Sequence, residues 1–135
     1  MDRVFLDANV LFSAAYREGA GLLKLWKLGD AELITSEYAA DEARRNLDSA
    51  DARARLEQLV TAIRIVPEGS AELFARVARL AKKDEPILGA AIAAQATHLL
   101  TGDLRDFGQL LGRRVRRVLV QTPGDYLRQR GTGKV

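Results

Sequence analysis

Four acidic residues of this chain stand where a carboxylate could do chemistry: Asp7, Glu42, Asp84 and Asp103. Asp7 closes the apolar run Val4-Phe5-Leu6, and Asp103 closes a second one, His98-Leu99-Leu100-Thr101-Gly102. Both runs read as short buried strands. A charge at the end of a buried strand is costly unless something compensates it, and ligands of open α/β sheets bind outside the carboxyl ends of the strands. Asp84 opens Asp84-Glu85-Pro86, a helix start with a capping acid and an early proline, and that helix leads into the second strand. Glu42 lies mid-helix, about 60° round from Ala39 at ~100° per residue, beside the stripe of Ala39, Ala43 and Leu47. Each acid has an ordinary alternative. Asp7 and Asp84 could simply cap helices, Glu42 could be solvated, and Asp103 could serve a turn. Gathered at one sheet edge, however, four carboxylates would repel and raise one another's pKa. A hard divalent cation bound through oxygen relieves that repulsion, and Mg²⁺ suits a few carboxylates plus water and a substrate phosphate. Asn9 and Thr101 add neutral oxygens nearby. No cysteine, a single histidine, no Gly-x-Ser-x-Gly and no glycine-rich phosphate loop leave no rival nucleophile or nucleotide motif. His98, before an apolar strand, reads as structural.

Strands and helices alternate along the chain around these acids. Strands are expected at 4–6, 31–35, 63–66, 98–101 and 115–120. Helices are expected at 9–16, 22–28, 36–47, through Leu56, Leu59, Val60 and Ile63, at 70–81, at 87–97, and from Pro123. The 87–97 segment is apolar nearly all round, which marks a buried helix. Strand–helix alternation implies a parallel sheet covered by helices, with right-handed crossovers. The expected fold is therefore a three-layer α/β/α sandwich on about five parallel strands, formed by residues 1–135 as a single domain.

The bulk composition agrees. A hydrophobic fraction of 47% and a charged fraction of 29% suit an ordinary globular domain. The absence of cysteine excludes disulfide frameworks and thiolate metal sites. No basic-then-apolar leader and no membrane-length apolar run are visible, so a soluble, cytoplasmic protein is expected. The net charge of +3 hints only weakly at a polyanionic partner. The arginines are more telling because they cluster: Arg44, Arg45, Arg53 and Arg55 mid-chain, and Arg113, Arg114, Arg116 and Arg117 later.

Four segments in order resemble the PIN-domain nuclease family, including the VapC-like toxins of toxin–antitoxin pairs. They are Leu6-Asp7-Ala8-Asn9-Val10-Leu11; Ser36 with Asp41-Glu42-Ala43-Arg44-Arg45-Asn46-Leu47; Asp84-Glu85-Pro86-Ile87-Leu88-Gly89-Ala90-Ala91; and Leu99-Leu100-Thr101-Gly102-Asp103-Leu104-Arg105-Asp106-Phe107. The resemblance spans Val4 to about Leu127. It implies a parallel α/β/α sandwich and metal-dependent endoribonuclease activity with one or two Mg²⁺ or Mn²⁺ ions. The family's acids fall on Asp7, Glu42, Asp84 and Asp103, with a further metal ligand on Asp106. Three of these matches have a neighbour in register: Asp41 beside Glu42, Glu85 beside Asp84, and Asp106 near Asp103. Asn9 and Thr101 would orient the ligands and waters, and Arg44, Arg45, Arg105, Arg113 and Arg114 would contact RNA phosphates. The resemblance also implies a homodimer and a small antitoxin partner. The helices at 20–28 and 36–59 show more apolar surface than one small sheet covers, which makes Leu22 and Trp26 candidate exposed anchors, with core burial as their alternative.

Other classes fit less well. A phosphoacceptor receiver domain needs a lysine closing a late strand, where Gln121 follows the 115–120 run. An aspartate-nucleophile phosphohydrolase needs a second aspartate two residues after Asp7, where Asn9 stands. A non-catalytic RNA- or protein-binding domain that keeps only the fold has no need of all four acids.

Overall fold

The computed structural model describes residues 1–67 and 85–132. Asp84 and the helix expected over 70–81 lie outside the described residues. In chain order the elements are β1 (Asp2–Leu6), α1 (Ala8–Tyr16), a 3-10 helix (Gly21–Lys27), β2 (Ala31–Ser36), α2 (Glu37–Asn46), α3 (Ala50–Thr61), β3 (Arg64–Val66), α4 (Glu85–Ala93), β4 (His98–Leu100), a second 3-10 turn (Gly108–Leu110), β5 (Arg114–Val115), β6 (Val118–Gln121) and α5 (Pro123–Thr132).

The sheet has six strands in the order β3-β2-β1-β4-β6-β5. All neighbouring pairs are parallel except β5 with β6. The expected single strand over 115–120 is thus a hairpin. Arg116 and Arg117 both adopt positive φ, 56° and 92°, and reverse the chain between β5 and β6. Such turns favour glycine or asparagine, so two arginines in a run of valines gave no turn signal. The segment expected as a helix over 22–28 is a 3-10 helix, and α4 ends at Ala93 with Gln95 in the left-handed region.

β1 is the point where the strand order turns, with β2 and β3 on one side and β4, β6 and β5 on the other. Right-handed crossovers then put the helices leading from β1 toward β3 on one face and the helix leading into β4 on the other. α1 packs against α2 and α3, while α4 lies against β2 and β4. The three central strands are apolar on both faces, as a doubly covered parallel sheet requires. Val4, Phe5, Leu6, Leu99 and Leu100 are fully buried, and Ile87, Leu88, Ala90 and Ala91 bury α4 as its composition implies.

Side chains fix the helix ends. Ser36 accepts from the Ala39 amide at 3.2 Å to start α2, and Ser49 accepts from Ala52 at 3.0 Å to start α3. Arg55 donates to the Ala15 and Tyr16 carbonyls and closes the C-terminal end of α1. Trp26 and Leu22 are half-buried against the core rather than exposed, and the Trp26 indole donates to the Leu59 carbonyl at 3.1 Å. At the amino edge, Asp2 accepts from the Tyr126 hydroxyl at 2.7 Å and from Arg130, which also pairs with Asp30. His98 sits there too, edge-on to Tyr126 with centroids 4.8 Å apart, and burial lowers its pKa.

Arg44 joins α2 to α3. Its guanidinium reaches Glu37 at 2.8 Å, Asp41 at 2.5 Å and Glu57 at 2.7 Å. Those three carboxylates hold the charge well above its ordinary pKa. The pairs are partly exposed, so their combined contribution is modest. Arg44→Met is expected to lower stability by about 1 kcal/mol, with the loss shrinking in 1 M NaCl; urea denaturation at two salt concentrations measures both.

Candidate active site

Asp7 follows β1 directly, and its amide donates to the Leu100 carbonyl of β4 at 3.0 Å. The carboxylate therefore sits in the crevice between the two strands where the sheet order turns, the place where open α/β sheets bind ligands. It is only 3% exposed. One oxygen accepts from the Ala8 amide at 2.6 Å, so the residue also caps α1. The other accepts from the Thr101 hydroxyl at 2.8 Å and the Asn9 amide at 3.2 Å. Burial pushes its pKa up to about 6, opposed by the bonds from Thr101 and Ala8 and reinforced by the charges of Glu42 and Asp103.

Thr101 and Asn9 tie the two strand ends together. The Thr101 hydroxyl also accepts from the Asp103 amide at 3.0 Å, and Asn9 donates to that hydroxyl at 3.3 Å. The Asn9 side-chain oxygen Oδ1 accepts from the Gly102 amide at 2.7 Å. A Cβ at Gly102 would lie 3.4 Å from that oxygen, an ordinary van der Waals contact. Asp103 accepts from the amides of Arg105 and Asp106 and shapes the turn after β4.

Asp7, Asn9, Glu42 and Asp103 line one cleft of about 460 Å³, together with Ala8, Phe12 and Asn46. Three of the expected acids thus converge. Asp106 is half-buried and is not part of the cleft wall. Asp41 turns to Arg44 instead, which separates it from Glu42. Arg44, Arg45, Arg105, Arg113 and Arg114 do not line the cleft. Arg44 is engaged by three carboxylates, Arg45 and Arg105 are exposed, and Arg114 lies on the far edge strand. Phe12 and Asn46 were missed from the sequence. Helical spacing would have found them, because Phe12 is three residues after Asn9 and Asn46 four after Glu42.

The donor set is all oxygen, without a cysteine or a histidine in the wall, which suits a hard cation that keeps part of its water. Among the described residues no three acidic or histidine side chains lie close enough to hold an ion unaided.

A family model for the PIN domain matches residues 3–105. The chain belongs to the PIN-domain family. No curated protein matches the sequence. Among solved structures the fold is similar to the crystal structure of VapBC2 from Rickettsia felis bound to a DNA fragment from their promoter. That likeness has a TM-score of 0.68 at 13% identity and covers 89% of this chain and 98% of the other. It is also similar to FitAcB from Neisseria gonorrhoeae, with a TM-score of 0.58 at 20% identity over 90% of this chain and 98% of that one. This PIN domain has the α/β architecture expected from its sequence, with a sixth, antiparallel strand at one edge.

Proposed function

We propose that this PIN domain is a metal-dependent endoribonuclease acting as the toxin of a toxin–antitoxin pair. The observation that carries this reading is a buried Asp7, sharing one cleft with Glu42 and Asp103, at the turning point of the sheet. Likeness to the VapBC2 and FitAcB structures supports the toxin assignment and a small antitoxin partner.

Asp7, Glu42 and Asp103 are the ligands proposed for Mg²⁺ or Mn²⁺, with Asp84 completing the set and Asp106 as a further candidate. The ion, when bound, lowers the pKa of water and neutralises charge developing on the phosphate. The protein's own groups do the positioning. Thr101 and Asn9 hold one oxygen of Asp7 through two hydrogen bonds. The Ala8 amide fixes the other at the start of α1, where the helix dipole favours the anion. Thr101 fixes the backbone that carries Asp103. Arg45 and Arg105, exposed outside the cleft wall, are the side chains proposed to meet RNA phosphates, and such contacts weaken with salt.

Labelled structured RNA incubated with Mn²⁺ or with EDTA tests the reading. Cleavage is expected only with the ion. Glu42→Gln and Asp103→Asn should each reduce it by more than about tenfold in a folded protein, the lower end of the cost of disturbing a metal ligand's surroundings. Asp106→Asn should reduce it less. Folded protein that leaves every RNA intact in Mn²⁺ would overturn the nuclease assignment and favour a binding domain. The proposed homodimer is a separate matter, and light scattering should give twice the 14.8 kDa chain mass.

A further inference from the structure

α1 extends the candidate active site outward. Asn9, Phe12 and Tyr16 follow the i, i+3, i+7 spacing that puts residues on one helix face. Asn9 and Phe12 line the carboxylate cleft. Phe12 rests partly on the core, and its ring lies 5.4 Å from that of Tyr16, tilted by 34°. Tyr16 is 63% exposed, which sets it apart from the buried Phe5, Phe107 and Tyr126. Tyr16 does not line the cleft itself, but its contact with Phe12 continues the cleft wall outward as an open ring face on the same side of α1.

We propose that Phe12 and Tyr16 form a stacking platform for an unpaired nucleobase next to the phosphate held in the cleft. The inference rests on reading the cleft as a site for RNA, and it adds which side chains hold a base beside the cleft. The helix rises about 10 Å from Asn9 to Tyr16, about three bases at the 3.4 Å stacking repeat. A strand whose phosphate lies at Asp7 can therefore lay a base one to three nucleotides along on the platform. Every base has a π face, so stacking on aromatic side chains is tolerant of sequence. A duplex cannot use this surface, because its bases are already stacked on each other. Arg17, exposed just beyond Tyr16, adds a cation for the backbone at the same end.

The test measures binding apart from cleavage. A short fluorescein-labelled oligoribonucleotide is titrated with the full chain, with Ca²⁺ in place of Mn²⁺, as a single strand and as a blunt duplex. Tyr16→Ala should weaken binding of the single strand by about tenfold or more. Tyr16→Phe should restore it and Tyr16→Leu should not, while the duplex is indifferent to all three. With Mn²⁺, Tyr16→Ala should raise KM and leave kcat near the parental value. Leucine restoring affinity, equal losses on duplex, or no binding of unpaired RNA by the parent would overturn the platform. So would a change of oligomeric state in Tyr16→Ala, which would assign the face to a second copy of the chain. A parent that binds unpaired RNA with this phenylalanine–leucine discrimination yet cuts nothing would support the platform and overturn the nuclease reading.

Discussion

Asp7→Asn is expected to reduce RNA cleavage by more than about a hundredfold, the upper end of what the outer partners of a metal ligand are worth. The same change should stabilise the metal-free protein above pH 6. The two effects have one cause. Burial and the neighbouring carboxylates push the Asp7 pKa up to about 6, so the fold favours the protonated acid. Below about pH 4 the carboxyl is neutral in both folded and unfolded chains, and it costs nothing. As pH rises through the window up to about 6, the unfolded chain releases this proton first and stability falls. Above that window the penalty is constant, up to about 3 kcal/mol at 1.36 kcal/mol per pKa unit. An amide carries no such penalty, although Thr101 must turn its hydroxyl to suit the new donor. Urea denaturation in EDTA at pH 4 and pH 8 should show the variant gaining stability at the higher pH alone. Equal behaviour at both would mean that Asp7 is not strained, and parental cleavage by the folded variant would remove it from the mechanism.

Thr101→Val is expected to cost about 10–100-fold in cleavage without touching an acid. The hydroxyl is fully buried; it donates to Asp7 and accepts from the Asp103 amide. Valine keeps the shape and loses these two bonds and the one from the Asn9 side chain. The Asp103 amide is then unpaired in a confined site, which destabilises the fold by about 1–3 kcal/mol. Asp7 loses the largest influence holding its pKa down, so the pH at which the metal-free protein stops losing stability should move above 6. Thr101→Ser retains the hydroxyl and should recover most of the cleavage, which separates the hydrogen bonds from the packing.

The alternation of strands and helices is legible along the chain, because buried parallel strands must be short apolar runs and the intervening helices need polar caps. So are the places of Asp7 and Asp103 at strand ends and of Glu42 beside the apolar stripe of α2, since each follows from a local period. Long-range packing sets what no local period contains. The reversal at Arg116 and Arg117 occurs in a β-like run and is imposed by the pairing of β5 with β6. Trp26 is drawn onto the end of α3 by a carbonyl 33 residues away. Asp41 and Glu42 are adjacent in sequence, yet α3 supplies Glu57 to anchor Arg44, and Arg44 takes Asp41 away from the cleft. Asn9 and Thr101 lie 92 residues apart and meet only because β1 and β4 are neighbours at the turning point of the sheet. A carboxylate's position along its own element is a local property. Its pKa, its partners and the company it keeps in a cleft depend on strand order, which is set by the global balance of packing.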